Sequence, residues 1–264
     1  MNRTEQLRQV NQMLLSEMPQ YRRQAEAFPD DEAAQRRLLR SLMNVRPPLP
    51  LPPQLLAVQD ALLSAEAAEK GVVEGASLPP VPSDPRLVVW RGDITRLRVD
   101  AIVNAANSQM LGCFIPCHGC IDNAIHSAAG LQLRDECSRL MQAQGRPEPT
   151  GRAKLTKGYH LPARYVLHTV GPVIGGHVTQ EDRRGLASCY RACLELAAAH
   201  SLQSIAFCCI STGEFHFPNR EAAEIAVETV RDFLEHQTTS IERVIFNVFK
   251  DVDETIYRDI LPPD

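Results

Sequence analysis

The first third of the chain places apolar residues at the period of an α-helix. Leu7, Val10 and Leu14 recur at intervals of three and four, which is the pattern of one face of an amphipathic helix. A proline-rich stretch over residues 47–53 would interrupt any helix, because proline lacks the backbone donor and favours extended backbone. Residues 1–85 are therefore predicted to form a helical extension that ends in a proline-rich linker. The predicted helices cover residues 5–18, 30–43 and 54–70.

From residue 86 onward, short apolar runs alternate with segments of helical periodicity. Predicted strands cover residues 87–90, 101–104, 152–158, 165–169, 204–210 and 243–249, and predicted helices cover 120–143, 187–200, 220–236 and 254–261. Alternating strands and helices indicate an α/β fold around a mostly parallel or mixed sheet. Ligands of such sheets bind at the carboxyl ends of the strands. Candidate chemistry is therefore expected in the loops that follow the strands.

The composition excludes several classes of protein. The chain has 264 residues and a formal net charge of -4, which is not the basic balance of a nucleic-acid-binding domain. No apolar segment approaches the roughly 18 residues of a membrane-spanning helix, and the polar N-terminal residues lack the apolar stretch of a secretory signal. The eight cysteines are then expected to be reduced thiols. We expect a cytoplasmic protein that binds neither nucleic acid nor membrane.

Three cysteines and a histidine crowd into eight residues: Cys113, Cys117, His118 and Cys120. Thiolate and imidazole are the ligands that zinc prefers, and a site with three protein ligands keeps one position open. Four ligands in so short a segment, stiffened by Pro116, are difficult to arrange around one ion. We therefore predict one zinc ion per chain, held by Cys113, His118 and Cys120, with Cys117 outside the site. A disulfide or unpaired thiols are the alternatives that the spacing leaves open.

Three further loops carry side chains or backbone groups that suit a ligand. Asp93 follows the first predicted strand and can accept a hydrogen bond from an amine. Asn104 and Asn107 offer amides to sugar hydroxyls, and the loop of residues 211–218 can bind a diphosphate through backbone N–H groups. Each loop by itself also fits an ordinary turn.

In their order along the chain, the segments VVWRGDIT, AIVNAANSQMLG, DNAIHSAAG, GRAKLTKGYHLPARYVLHTVGP, STGEFHFP and VIFNVF resemble the macrodomain family of ADP-ribose-binding modules. The resemblance extends over residues 86–261 and implies a macrodomain over residues 86–264, with a three-layer α/β/α fold and a mixed central sheet. The loop GCFIPCHGC stands where many macrodomain hydrolases have a glycine run. It looks like the loop of the zinc-dependent subgroup, whose members also carry an N-terminal helical extension.

The resemblance also implies roles for individual residues. Asp93 would hold the adenine amino group beside the backbone of Ile94, and Asn107 would contact the distal ribose and take part in catalysis. Asp122 is a second catalytic candidate, and His126 is interpreted as a packed helix residue. Cys113, His118 and Cys120 match the zinc ligands of the subgroup. The remaining substrate contacts would be Ser211, Thr212, Gly213 and Glu214 at the diphosphate, Phe215 or Phe217 at the distal ribose, and Phe249 at the adenine.

The function implied by the resemblance is zinc-dependent removal of ADP-ribose from mono-ADP-ribosylated proteins. The partners would be such a modified protein and free ADP-ribose, and the enzyme would act opposite a sirtuin-type ADP-ribosyltransferase. Three other functions are compatible with the same residues. They are a reader that binds ADP-ribose without cleaving it, a deacetylase of O-acetyl-ADP-ribose, and a structural zinc scaffold for a protein complex.

Overall fold

A computed structural model of the chain describes residues 2–262, and its N-terminal part is helical as predicted. The Asp31 side chain accepts from the Ala34 N–H at the start of the second long helix, which satisfies a free donor of its first turn. Pro53 opens the next helix, at a position where its missing N–H costs nothing. The helices are α1 (Arg3–Glu17), the single turn α2 (Arg22–Ala25), α3 (Glu32–Val45) and α4 (Pro53–Lys70).

The long helices of the extension bury their apolar faces in a core of their own. Leu7 of α1, Leu39 of α3 and Leu62 of α4 are all buried in it. Leu131, from the other part of the chain, joins the same cluster. Burial of a leucine side chain stabilises a fold by about 1.5–3 kcal/mol, so this cluster both forms the extension and attaches it to its neighbour.

The remaining chain contains a six-stranded mixed sheet. Its strands are β2 (Leu87–Arg91), β4 (Ala101–Ala105), β5 (Ala153–Lys157), β6 (Tyr165–Thr169), β7 (Ser204–Phe207) and β8 (Arg243–Val248), while β1 (Val73–Glu74) and β3 (Leu97–Arg98) pair separately. The order across the sheet is β2-β8-β7-β4-β6-β5. All neighbours in it are parallel except β5, which runs antiparallel to β6. The carboxyl ends of the parallel strands therefore share one edge.

Helices cover both faces of this sheet. They are α5 (Ile121–Ala129), α6 (Leu131–Gln144), α7 (Gln180–Ala199), α8 (Asn219–His236) and α9 (Asp251–Ile260). Successive residues of β4, β7 and β8 are buried, and because side chains alternate between faces, both faces must be covered. One group, α5 and α6, packs on β4 and β5, and the other, α7 to α9, packs on β2, β5, β6 and β8. The predicted three-layer α/β/α architecture is confirmed, with α3 and α4 packed outside α5.

The prediction of a single helix over residues 120–143 is wrong, because Gly130 separates α5 from α6. Gly130 has φ of +99°, and a Cβ there would lie 2.9 Å from the Gln132 side chain. The break frees the N–H of Leu131, which donates to Gln59 Oε1 of the extension at 2.8 Å. The interruption is therefore also a docking point for α4. No helix within residues 2–262 combines the length and the apolar character needed to span a membrane.

Candidate functional site

A cleft of about 380 Å³ lies at the carboxyl ends of β2, β4, β7 and β8. Loops that follow these strands in parallel register meet at one edge of the sheet, which is where ligands of α/β folds bind. Most of the predicted substrate contacts line this cleft, together with one of the predicted metal ligands. They are Asp93, Ile94, Cys120, Ser211, Thr212, Gly213, Glu214, Phe215 and Phe249.

The cleft presents an ionised carboxylate and an exposed aromatic ring. Asp93 accepts hydrogen bonds from the backbone N–H and the hydroxyl of Thr95, at 2.9 and 2.6 Å, and pairs with Lys70 Nζ at 2.5 Å. Burial alone would raise the pKa of Asp93, but the bonds from Lys70 and Thr95 lower it below its ordinary value. Phe249 is 74% exposed and lies at the same cleft. Asp93 is therefore an anionic acceptor, suited to an amine such as that of a nucleobase.

The loop after β7 offers backbone donors to the cleft. Ser211 has φ of +65°, and turn bonds occupy the N–H groups of Thr212, His216 and Phe217. The intervening N–H groups of residues 213–215 have no acceptor among residues 2–262. Successive free N–H groups in a turn form a concave site for anions. The geometry suits the predicted binding of a diphosphate.

The two aromatic residues proposed for the distal ribose take different positions. Phe215 lines the cleft, whereas Phe217 is 1% exposed and belongs to the main hydrophobic core. Of the two alternatives, the structure places only Phe215 where it could contact a ligand in the cleft.

The predicted metal ligands come together. The Sγ atoms of Cys113 and Cys120 and a ring nitrogen of His118 all lie within 4.8 Å of one another. Nδ1 of His118 is buried and has no hydrogen-bond partner among the described residues. Two sulfurs and one nitrogen are a donor set that zinc accepts, and a free buried imidazole nitrogen leaves a ligand available. These residues fit a zinc ion, and Cys120 brings the group to the wall of the cleft.

A tight turn explains why Cys117 lies outside this group. The His118 N–H donates to the Ile115 carbonyl at 3.2 Å, with Pro116 and Cys117 at the two central positions. Cys117 has φ of +52°, and proline followed by a residue of positive φ is the signature of a type II turn. The exposed Cys117 thiol instead contacts the Ser41 hydroxyl of α3 at 3.3 Å. We call residues 113–120 the metal loop.

The surroundings of the Cys120 thiol disfavour its ionised form. Burial, followed by the proximity of Cys113 and Asp122, raises the pKa of Cys120 to about 12, although the Asn123 N–H opposes the shift. A bound cation acts in the opposite sense and deprotonates a coordinating thiol. A metal ion bound here would therefore favour the ionised form of the Cys120 thiol.

Neither predicted catalytic residue lines the cleft. The Asn107 amide bonds within its own loop, with Nδ2 donating to Gly112 O at 3.2 Å and Oδ1 accepting from the Gln109 N–H at 3.0 Å. Asp122 is 4% exposed and accepts from Asn104 Nδ2 at 2.8 Å. Burial raises the pKa of Asp122 to about 6. Their catalytic roles stay predictions, and in the structure both residues hold neighbouring segments in place.

Asn104 connects Asp122 to a polar network beneath α5. Its Nδ2 lies 3.1 Å from His168 Nδ1, and His168 Nε2 lies 2.9 Å from the Thr156 hydroxyl. Since an amide N–H₂ can only donate, His168 accepts at Nδ1 and donates from Nε2. Burial lowers the pKa of His168 to about 3. His126 is also buried, as its interpretation as a packed residue requires.

The neutral His168 should make stability depend on pH. The unfolded histidine binds a proton near pH 6.5 and the folded one only near pH 3, so the free energy of unfolding should fall as the pH falls below 6.5. The expected contribution is about 1.4 kcal/mol per pH unit. Urea unfolding between pH 6.5 and 5 measures the slope, and His168→Asn should reduce it by that amount. Because His126 and Asp122 titrate in the same network, the diagnostic quantity is the difference in slope between the wild type and His168→Asn. Equal slopes would contradict a neutral, buried His168.

Sequence reasoning missed Asn247, which lines the cleft, and Lys70, which contacts Asp93 from outside the cleft lining. Asn247 lies in the apolar strand β8, and its Nδ2 donates to the Gly92 carbonyl at 2.9 Å, which fixes the loop that carries Asp93. Its only signal was a polar residue within an apolar run. Lys70, the last residue of α4, reaches Asp93 from the extension, and no local pattern could have indicated that contact.

Known proteins resemble this chain in sequence and in fold. The sequence pattern of the Macro domain family matches residues 103–226. A Treponema medium protein named protein-ADP-ribose hydrolase is 52% identical over 250 residues, 94% of this chain and 95% of its own. A Fusarium oxysporum protein named probable bifunctional ADP-ribose hydrolase/ADP-ribosyltransferase is 46% identical over 86% of this chain, which spans 41% of it. A Trypanosoma brucei macrodomain solved in complex with ADP-ribose is 36% identical, with a TM-score of 0.66 over 83% of this chain and 94% of its own.

Proposed function

The chain belongs to the Macro domain family, and we propose that it is a zinc-dependent hydrolase that releases ADP-ribose from mono-ADP-ribosylated proteins. Relatives named as ADP-ribose hydrolases support the hydrolase part of the proposal. The observation that carries the zinc part is the position of Cys120. It belongs both to the group of metal ligands and to the wall of the cleft.

The proposed orientation of ADP-ribose follows from the donors and acceptors along the cleft. Asp93 accepts from the adenine amino group, and the exposed ring of Phe249 stacks on the base. The free N–H groups of residues 213–215 bind the diphosphate. Phe215 and the metal loop then flank the distal ribose, which carries the bond to the modified protein.

The residues of the metal loop would hold the ion at this end of the cleft. Cys113, His118 and Cys120 leave one coordination position, and a zinc ion with such a position supplies Lewis acidity to an oxygen of water or substrate. The Asn123 N–H donates to Cys120 Sγ at 3.4 Å, a bond that orients the sulfur. The Glu214 carboxylate belongs to the loop of residues 211–218, the diphosphate loop, and lies 3.8 Å from His118 Nε2 of the metal loop.

The proposed biological setting is reversal of protein ADP-ribosylation. The Fusarium oxysporum relative combines hydrolase and ADP-ribosyltransferase in its name, which supports a role opposite such a transferase. We propose that the transferase is of the sirtuin type, as the resemblance of the metal loop implies. All eight cysteines are free, which favours the cytoplasm as the place of action.

Asp93→Asn should weaken the binding of ADP-ribose by about 10–100-fold, because it replaces a charged acceptor, whose hydrogen bond is worth about 1.5–3 kcal/mol, by a neutral one. The turnover rate at saturating substrate should change little, since the adenine end is remote from the reacting bond. Isothermal titration of ADP-ribose measures the affinity. Asp84→Asn, which breaks an ion pair with Arg86 away from the cleft, is the matched control and should bind ADP-ribose normally.

An assay of released ADP-ribose distinguishes the proposed function from its alternatives. The protein is incubated with a mono-ADP-ribosylated protein, and free ADP-ribose is quantified by chromatography. Release supports the hydrolase. Tight binding of ADP-ribose without release from several linkages would favour a reader, and hydrolysis of O-acetyl-ADP-ribose alone would favour a deacetylase.

A further inference from the structure

The N-terminal extension touches the metal loop through the last turns of α3. Asn44 Oδ1 accepts from the Cys117 N–H at 2.8 Å, and Arg40 Nη2 donates to the His118 carbonyl at 3.2 Å. Asn44 is also anchored below, since its Nδ2 donates to Ser127 Oγ of α5 at 3.1 Å. Two side chains of the extension therefore hold the backbone of the metal loop directly.

Arg40 reaches a second ligand, Cys120, through Asn123, which is fully buried. Nε and Nη2 of Arg40 donate to Asn123 Oδ1 at 3.1 and 2.8 Å. Asn123 in turn donates from its backbone N–H to Cys120 Sγ at 3.4 Å and from Nδ2 to the Ile115 carbonyl at 2.9 Å. One guanidinium group thus fixes Asn123, whose backbone N–H contacts a metal ligand and whose side chain supports the turn before His118.

The turn needs such support because its geometry is unfavourable for its sequence. Cys117 has φ of +52°, a conformation that a residue with a Cβ adopts reluctantly and glycine adopts freely. The N–H of this same residue donates to Asn44. The extension therefore stabilises the one position of the metal loop that the local sequence disfavours.

We propose that the extension is a structural part of the metal centre, in which Arg40 and Asn44 are positioning residues that hold His118 and Cys120 ready for a cation. The inference rests on the proposed zinc site. Neighbours that orient metal ligands typically change metal affinity by about 10–100-fold when removed. A loop released from α3 would have to be ordered by the ion itself, and that ordering would weaken binding.

The test is the zinc affinity of the full chain, measured by competition with a chromophoric chelator. Arg40→Ala and Asn44→Ala should each weaken zinc binding about 10–100-fold while the affinity for ADP-ribose stays within about threefold. Arg40→Lys can keep one of the three hydrogen bonds that Arg40 donates. Its zinc affinity should lie between those of the alanine variants and that of the wild type. Arg37→Ala is the matched control, because Arg37 lies on the same helix and is exposed; it should bind zinc as the wild type does.

The possible results separate this inference from the function on which it rests. A wild-type chain that takes up no zinc would overturn the proposed zinc site and the inference with it. A wild-type chain that binds zinc tightly, with Arg40→Ala, Arg40→Lys and Asn44→Ala all within twofold of it, would overturn the inference alone. The graded losses described above would support both.

Discussion

Cys120→Ser should reduce the release of ADP-ribose from a modified protein by about 100-fold or more, while the affinity for ADP-ribose changes by less than about threefold. The thiol belongs to the group of three metal ligands and also lines the cleft, so its loss removes the ion from the reacting end. Asp93 and the diphosphate loop, which supply most of the proposed binding contacts, are untouched. Single-turnover experiments measure the rate of release, metal analysis measures the bound zinc, and titration measures the affinity for ADP-ribose.

Cys117→Ser is the matched control for this variant. Cys117 lies three residues away in the same loop, but its exposed thiol faces Ser41 of the extension and is not one of the three clustered ligands. This variant should keep its zinc and its turnover. Full turnover in Cys120→Ser, or an equal loss in Cys117→Ser, would contradict the assigned ligand set.

Arg134→Met should destabilise the protein by about 3–5 kcal/mol, the usual consequence of leaving the partners of a buried charged group unpaired. Arg134 is 4% exposed, and its guanidinium donates to the carbonyls of Met43, Asn44 and Arg46 at 2.6–2.9 Å. Free carbonyls at a helix end need donors, and these lie at the end of α3. A fourth bond to Leu111 O at 2.7 Å ties that end to the segment before the metal loop.

The loss is measured as the free energy of unfolding in urea. Burial lowers the pKa of Arg134 to about 10, so the group is charged at neutral pH and its carbonyl partners bond to a full charge. Arg139→Met is the matched control on the same helix, because Arg139 is mostly exposed and pairs with Asp135 four residues away. Exposed pairs of this kind contribute about 0–1 kcal/mol, and equal losses in the two variants would contradict the proposed clamp.

The periodic part of the fold could be predicted from the sequence. The amphipathic pattern of Leu7, Val10 and Leu14 predicted α1 because burial of one face forms that helix. Mostly apolar runs such as residues 243–249 predicted buried strands for the same reason. In these segments the local pattern and the tertiary packing impose the same conformation.

Boundaries set by capping groups or by distant contacts were harder to predict. The helix predicted from residue 187 begins at Gln180, because Thr179 and Asp182 form a capping box in a stretch of little apolar character. The N–H that the break at Gly130 frees is bound by Gln59, whose side chain reaches it from α4. No pattern within residues 120–143 reveals that a second helix start would find a partner there.

The candidate site likewise combines residues that the local sequence predicted with residues that depend on distant contacts. Cys113, His118 and Cys120 are close in sequence, so their spacing alone suggested one site, and the structure brings their ligand atoms together. Lys70 and Arg40 belong to the N-terminal extension, whose sequence pattern predicts only helices. Their contacts with Asp93 and the metal loop arise from the packing of the extension against the rest of the chain. The local sequence does not predict that packing.

The most direct test of the central claim is the release of ADP-ribose from a mono-ADP-ribosylated protein, measured before and after removal of zinc by a strong chelator, with bound zinc quantified in each sample. We expect release to stop as zinc leaves and to return when zinc is added back, since Cys113, His118 and Cys120 would then regain the ion at the cleft. Unchanged release from protein shown to contain no zinc would contradict the claim and favour catalysis by protein side chains, with Asp122 the first to examine.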